Sequence, residues 1–277
     1  MSILEYFSFD FVRFAFISCL LLSITSPILG VFLLLRRLSF FGAGLSNLSF
    51  AGIALGFLLK KDPILTSSIF TSFLGVLSYY IYITTKLPGD ILISILFSLG
   101  LALAVFILGI IKSLGSTIFS YLFGSILLVT KKDLAIIFIF SIITLLYFFV
   151  FRKAITISLL SRELGKVYFK KLDYIELGFI FLSSLFVVFT IKIVGIILST
   201  SFLVIPSLFG LIFGKSLNQA IVFGILFGVF SSFLGLIFSL YLNVPPGGTI
   251  VLTMTILLKL FYLFNYLFNR FFKKTFR

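Results

Sequence analysis

Two polar residues, Ser46 and Asn47, lie inside an apolar stretch that begins just after Arg36 and Arg37. In hydrocarbon an unpaired amide or hydroxyl group costs about 2 to 7 kcal/mol, depending on the reference state. Such a group therefore needs a partner helix, water or a substrate, and polar residues within membrane spans are functional candidates by default. The segment RRLSFFGAGLSN, residues 36–47, is accordingly the first candidate for a binding site.

A second group of hydroxyl side chains follows later in the chain. Ser199, Thr200 and Ser201 lie within the apolar segment GIILSTSFLVIPS, and Pro206 follows them by one to two helical turns. A proline in a helix frees a backbone carbonyl in the preceding turn. Nearby hydroxyls can bond such a carbonyl, or they can line a path through the membrane. The residue pattern leaves both interpretations open.

Several kinds of chemistry are excluded by residue type. The chain has no histidine, so histidine metal sites, Ser-His and Cys-His catalysis and imidazole proton relays are ruled out. Its eight acidic residues lie at or near the ends of apolar spans, which disfavours an intramembrane enzyme with paired carboxylates. Residues 210–216, GLIFGKS, have one residue too few between the glycines for a phosphate-binding loop. We expect no cofactor, and any ATP hydrolysis must occur in another chain.

Composition identifies a membrane protein. Mean hydropathy is +1.31, 61% of residues are hydrophobic and 11% are charged, whereas a soluble domain carries about 25% charged residues. We predict an all-α, polytopic membrane helical bundle that forms a single domain over residues 1–277. Nine apolar segments approach the length of about 20 residues that a span requires: 14–35, 42–59, 63–84, 91–111, 134–151, 174–191, 193–213, 217–241 and 249–268.

The net charge of +14 is distributed between the spans. This pattern is typical of membrane orientation and does not form the basic face that nucleic-acid binding requires. If residues 115–129 do not cross the membrane, 14 basic residues lie on the cytoplasmic side and 7 outside; if they do cross, the counts are 15 and 6. The charge rule cannot choose between these topologies. In both, residues 152–172 are cytoplasmic.

Two further patterns suggest how the spans pack and connect. Residues 152–172 interleave seven charges with apolar residues, so we predict a short amphipathic helix that rests on lipid, docks into another protein or simply connects two spans. Glycines recur at four-residue spacing, which allows close helix packing, in three pairs: Gly52 and Gly56, Gly210 and Gly214, Gly224 and Gly228.

Seven segments, in order over some 220 residues, resemble the permease subunits of ABC transporters that import zinc, manganese and iron. The segments are GVFLLLRRLSFFG (30–42), LSNLSFAGIALGFLL (45–59), DILISILFSLGLAL (90–103), YLFGSILLVTKKDL (121–134), SRELGKVYF (161–169), VGIILSTSFLVIPS (194–207) and VPPGGTIVL (244–252).

The resemblance implies a helical permease in the cell membrane, related to vitamin B12 and iron-chelate importers, with eight or nine transmembrane helices. It implies a homodimer, a separate ABC ATPase on the cytoplasmic side and an extracytoplasmic binding protein. Residues 161–169 are similar to the coupling helix that enters the ATPase groove, which assigns ATPase contact to Ser161, Arg162, Glu163 and Leu164. The segment YLFGSILLV is similar to a short outer-side helix, which favours the topology with 14 basic residues inside.

The chain departs from this family at the centre of the expected path. Members carry an Asp and, four residues later, a His in the segment that matches FGAGLSN, but here these positions are Ala43 and Asn47. An amide is a far weaker ligand for zinc or manganese than imidazole. We therefore assign no metal ligand. The expected path comprises Gly42, Ala43, Ser46, Asn47, Ser199, Thr200 and Ser201.

The departure at Ala43 and Asn47 keeps two alternatives to a metal importer open. The first is a permease of the same fold whose substrate has changed to a neutral or chelated solute that Ser46 and Asn47 contact. The second is a permease-derived regulatory membrane protein that binds the ATPase and transports nothing.

Overall fold

The computed structural model describes residues 8–85, 88–111, 120–125 and 129–275, with side chains as far as residue 267. Eight of its helices are long and apolar enough to cross a membrane, which confirms the predicted polytopic bundle. In chain order the helices are α1 (Asp10–Leu35), α2 (Phe41–Leu58), α3 (Pro63–Thr85), α4 (Gly89–Ile111), α5 (Lys131–Leu160), α6 (Arg162–Tyr168), α7 (Leu172–Val194), α8 (Ser199–Phe213), α9 (Leu217–Leu242) and α10 (Pro246–Thr275).

The predicted span over residues 193–213 is wrong as a continuous helix. Helix α7 ends at Val194, and the next residue, Gly195, has a φ of 89° in the left-handed region that glycine tolerates. A Cβ atom on Gly195 would lie 2.6 Å from the backbone nitrogen of Gly124, so the two chain segments meet at backbone distance. The amide of Ile196 donates to the carbonyl of Tyr121 at 3.0 Å. The chain then turns, and α8 has only 15 residues.

The predicted amphipathic helix over 152–172 is also divided. Helix α5 continues through Leu160 and stops at Ser161, whose backbone is extended with φ −153° and ψ 124°. The Ser161 hydroxyl accepts a hydrogen bond from the amide of Leu164 at 3.4 Å and so caps α6. Helix α6 is therefore a separate seven-residue helix.

Two ion pairs establish which helix ends share a side of the bundle. At one side, Arg36 after α1 pairs with Glu176 near the start of α7. At the other, Lys192 near the end of α7 lies 2.7 Å from Asp133 at the start of α5. Residues near the end of α4 share an apolar cluster with the same end of α7.

The chain between Ile111 and Lys131 therefore begins and ends on one side, which favours the topology without a crossing there. Lys86, Lys112 and residues 115–119 and 126–128, on which part of that prediction depends, lie outside the described residues.

Helices α1, α2 and α7 form the buried centre of the bundle. The predicted glycine contacts occur: a Cβ on Gly52 would lie 2.6 Å from the Ser67 Cα, and one on Gly224 would lie 2.7 Å from the Pro27 Cβ. Backbones that approach so closely gain dispersion contacts and leave little room for sliding. These contacts fix α2 against α3 and α9 against α1.

Candidate functional site

The first two turns of α2 meet the first turn of α8 through a cluster of hydroxyl groups. The Ser46 Oγ lies 2.6 Å from the Ser199 Oγ and 3.2 Å from the Thr200 Oγ1, and it is also 3.0 Å from the carbonyl oxygen of Gly42. Ser46 and Ser199 are buried and Thr200 is half-buried. A Cβ on Gly42 would come within 3.2 Å of the Thr200 methyl group. The structure thus brings together four of the seven predicted path residues.

The Ser199 and Thr200 hydroxyls of α8 do not bond the carbonyl that Pro206 leaves free. The carbonyl that this proline leaves free belongs to Phe202, and it accepts a hydrogen bond from the Ser26 hydroxyl of α1 at 2.8 Å. Ser199 and Thr200 instead reach α2. Ser201 is half-buried on α8 and is not one of the hydroxyls that contact Ser46. Repair of the Pro206 turn is therefore not the role of Ser199 and Thr200, and the lining of a path stays a prediction.

Ala43 and Asn47 lie one turn apart on the neighbouring face of α2, which is turned toward α4. Both are half-buried, and the Asn47 amide nitrogen donates to the carbonyl of Phe97 at 3.4 Å. A Cβ on Gly100 would lie 2.6 Å from the Asn47 carbonyl carbon, so α4 covers this face closely. Among the described residues, no three acidic or cysteine side chains converge where they could hold a metal ion.

The four residues predicted to contact an ATPase have two different environments. Glu163 and Leu164 are exposed on α6. They lie beside three exposed apolar side chains, Leu160, Val167 and Tyr168, so this end of the protein carries an apolar surface outside the long spans. Ser161 caps the helix. Arg162 instead points toward the bundle, where its guanidinium donates to Asp173 at 2.5 Å and to Glu176 at 3.1 Å.

A buried carboxylate at this end was missed by sequence reasoning. Glu176 has only 1% of its side chain exposed. Its oxygens accept hydrogen bonds from Arg36, from Arg162 and from the Tyr79 hydroxyl at 3.2 Å. The sequence placed Glu176 near the start of a span, where an exposed position is the ordinary expectation. The available signal was the pair Asp173 and Glu176, three residues apart on one helical face.

Comparison with known proteins agrees with this architecture. The model of the ABC 3 transport family matches residues 8–265. The high-affinity zinc uptake system membrane protein ZnuB of Buchnera aphidicola is 31% identical over 245 residues, which cover 88% of this chain and 94% of that protein. The manganese transport system membrane protein MntC of Listeria monocytogenes is 25% identical, with 92% and 91% of the two chains covered.

Solved structures of other proteins also resemble this chain. The structure described as PsaBC from Streptococcus pneumoniae in complex with Fab has a TM-score of 0.80 and 28% identity, and the match covers 91% of each chain. An inward-facing putative metal-chelate type ABC transporter has a TM-score of 0.67 at 19% identity, which shows a shared fold. Family match, sequence identity and fold together show that this chain belongs to the ABC 3 transport family, as a multi-pass permease subunit of the cell membrane.

Proposed function

We propose that this chain is the permease of an ATP-driven importer for a divalent transition-metal ion such as zinc or manganese. A separate ABC ATPase drives it from the side of α6, an extracytoplasmic binding protein delivers the ion, and a second permease copy completes the path. The observation that carries this proposal is the hydroxyl junction of Ser46, Ser199 and Thr200, which lies inside a bundle whose relatives are named as zinc and manganese transport proteins.

The ligand types at this junction favour passage of a metal ion over its tight binding. Hydroxyl and amide oxygens are weaker ligands for these ions than the thiolate, imidazole and carboxylate groups of high-affinity sites. Conduction requires that an ion enters and also leaves, so weak and successive contacts are compatible with transport. Ser46 and Asn47 offer such contacts on adjacent faces of α2, and Thr200 of α8 adds a third beside Ser46.

The exposed face of α4 supports a second copy of the permease. A groove of about 600 Å³ runs along it, lined in part by Asp90, Ser94 and Ser98. These three polar residues are four positions apart, so they share one face of the helix. The Ser94 hydroxyl bonds the Asp90 carbonyl oxygen of the same helix at 2.8 Å, whereas the Asp90 carboxylate at the head of the row needs water or a protein partner. A second copy that faces this row would enclose a polar path beside Asn47, which contacts the same helix at Phe97.

Helix α6 supports contact with the ATPase. Leu164, Val167 and Tyr168 are 55%, 79% and 71% exposed, although they lie on a helix outside the long spans. Amphipathic helices with such a face bind in apolar grooves of partner proteins. Lys166 and Lys170 flank the face and are exposed as well. We assign the docking surface to Leu160, Glu163, Leu164, Val167 and Tyr168, with Ser161 as the cap of the helix.

A second candidate substrate is a neutral or chelated solute. The observation that favours it is the pair Ala43 and Asn47, which puts a methyl group and an amide where a carboxylate and an imidazole would bind a bare ion. An amide both donates and accepts hydrogen bonds, so Asn47 could recognise a polar organic ligand.

Metal uptake by cells tests the proposal and separates the candidates. The chain and its cognate partner proteins are expressed in a bacterial strain that lacks its own importers, and accumulation of Zn²⁺, Mn²⁺ and Fe²⁺ is measured. The same assay is repeated with Ala43→Asp combined with Asn47→His. We expect uptake by the unchanged chain and sharper metal selectivity in the double variant. Absence of metal uptake by both the unchanged chain and the double variant would contradict a metal importer. The same metal selectivity in both proteins would place the path elsewhere.

A further inference from the structure

Four helices converge on one buried carboxylate at the α6 end of the bundle. Glu176 of α7 accepts hydrogen bonds from Arg36 at the end of α1, from Tyr79 of α3 and from Arg162 of α6. The same Arg162 also bonds Asp173, which lies 3.0 Å from the Lys166 ammonium group. Helix α6 is therefore attached to the bundle through charged contacts that end at Glu176.

Burial makes the Glu176 contacts mutually dependent. The Glu176 side chain is 1% exposed and that of Arg36 is 15% exposed, so water can replace little of what the partners supply. A buried charge that loses its counterion is strongly destabilised. The Arg36 Nε is buried and has no hydrogen-bond partner among the described residues, which leaves Glu176 as the main anchor of that guanidinium. If Arg162 moves, Glu176 must move with it or lose that hydrogen bond, and a move of Glu176 either takes Arg36 along or breaks the second pair.

Arg36 is linked by a short and rigid turn to the candidate path. Arg37 has a φ of 59°, and the amide of Leu38 donates to the carbonyl of Leu33 at 2.8 Å, which closes the turn. Helix α2 begins at Phe41. The path residues Gly42 and Ser46 lie in its first two turns. Only residues 37–40 therefore separate Arg36 from the start of α2.

We propose that Glu176 is a positioning residue that couples displacement of α6 to the α2 side of the path. The link runs from α6 through Arg162 to Glu176, then through Arg36 to the turn before α2. Each member is held by a direct contact or by the chain itself, so the link is a continuous physical connection between two sites. This inference rests on the proposed function, in which an ATPase binds α6 and the start of α2 lines the path.

The test compares ATP hydrolysis with transport in the reconstituted complex of permease, ATPase and binding protein. The variants are Glu176→Gln, Arg36→Gln and Arg162→Gln. Arg37→Gln is the matched control, because it makes the same change at the adjacent, exposed arginine. We expect the complexes that contain these three variants to hydrolyse ATP but to import at least about fivefold fewer Zn²⁺ or Mn²⁺ ions per ATP, in the range of typical allosteric coupling. Arg37→Gln should match the unchanged chain.

A second comparison separates coupling from folding. The double variant Arg36→Gln with Glu176→Gln should transport no fewer ions per ATP than Glu176→Gln alone, because both changes break the same link. Arg162→Gln, at the more exposed end of the network, provides a variant that is less prone to misfold. An unchanged number of ions per ATP in Arg162→Gln, or a loss of hydrolysis and transport in equal proportion in all three variants, would overturn the proposal. If the complex with the unchanged chain hydrolyses ATP and imports nothing, the proposed function is wrong and this inference is wrong with it.

Discussion

Gly100 is the point at which a single methyl group should disturb the candidate path most clearly. A Cβ atom at this position would lie 2.6 Å from both the Asn47 carbonyl carbon and the Leu48 nitrogen, whereas an ordinary contact is 3.4 Å or longer. Both atoms belong to the backbone of α2, so no side chain can rotate away. In Gly100→Ala, α4 and α2 must therefore separate by about 0.8 Å, the difference between these distances. Overpacking of this kind costs about 1 to 3 kcal/mol.

The matched control is Gly109→Ala on the same helix, where an added Cβ meets nothing within 4 Å. Both variants gain the same helix propensity, about 1 kcal/mol, so their difference isolates the contact with α2. Thermal unfolding in detergent is monitored by size-exclusion chromatography. The midpoint temperature of unfolding should be lower for Gly100→Ala than for Gly109→Ala. Uptake should fall in the first variant only, because the displaced segment carries Asn47. Equal midpoints and equal uptake would refute the close approach of α2 and α4.

Three further predictions concern the path and the docking surface. Ser46→Ala removes the hydroxyl that joins α2 to α8. We expect the free energy of unfolding to fall by about 1 to 3 kcal/mol and metal uptake to slow. Unchanged stability and unchanged uptake would show that the contact is dispensable. Asn47→Cys should react with a water-soluble thiol reagent, whereas the unchanged chain should not, because its only thiol, Cys19, is buried; equal labelling would contradict an aqueous path at this face. Leu164→Ser combined with Val167→Ser should weaken co-purification of the ATPase without lowering the unfolding midpoint, because both side chains are exposed, and undiminished co-purification would place the docking surface elsewhere.

The positions of the long helices were predictable from the sequence because hydrocarbon imposes a simple length and polarity requirement. The interruption at Gly195 was not, since it depends on a backbone contact with Gly124, more than 70 residues away in the chain. The same limit applies to residues 152–172. Their polarity indicated a separate helix, but the place where α5 ends depends on the capping geometry of Ser161.

The candidate site was predictable in part. Polar residues inside apolar segments identified Ser46, Ser199 and Thr200, because such groups need partners in a membrane. Their mutual contact could not be derived, since it depends on how α2 packs against α8. Glu176 was missed for a related reason: its partners Arg36 and Arg162 come from other helices. A carboxylate near the start of a span has the same local sequence whether it faces water or an arginine.

The most direct measurement of the central claim is uptake of Zn²⁺ and Mn²⁺ into proteoliposomes that contain this chain with its cognate ATPase and binding protein. The account predicts accumulation of at least one of these ions that requires ATP and the binding protein and that slows in Ser46→Ala. Failure of both ions to accumulate while ATP is hydrolysed, or accumulation that is the same without ATP, would contradict it.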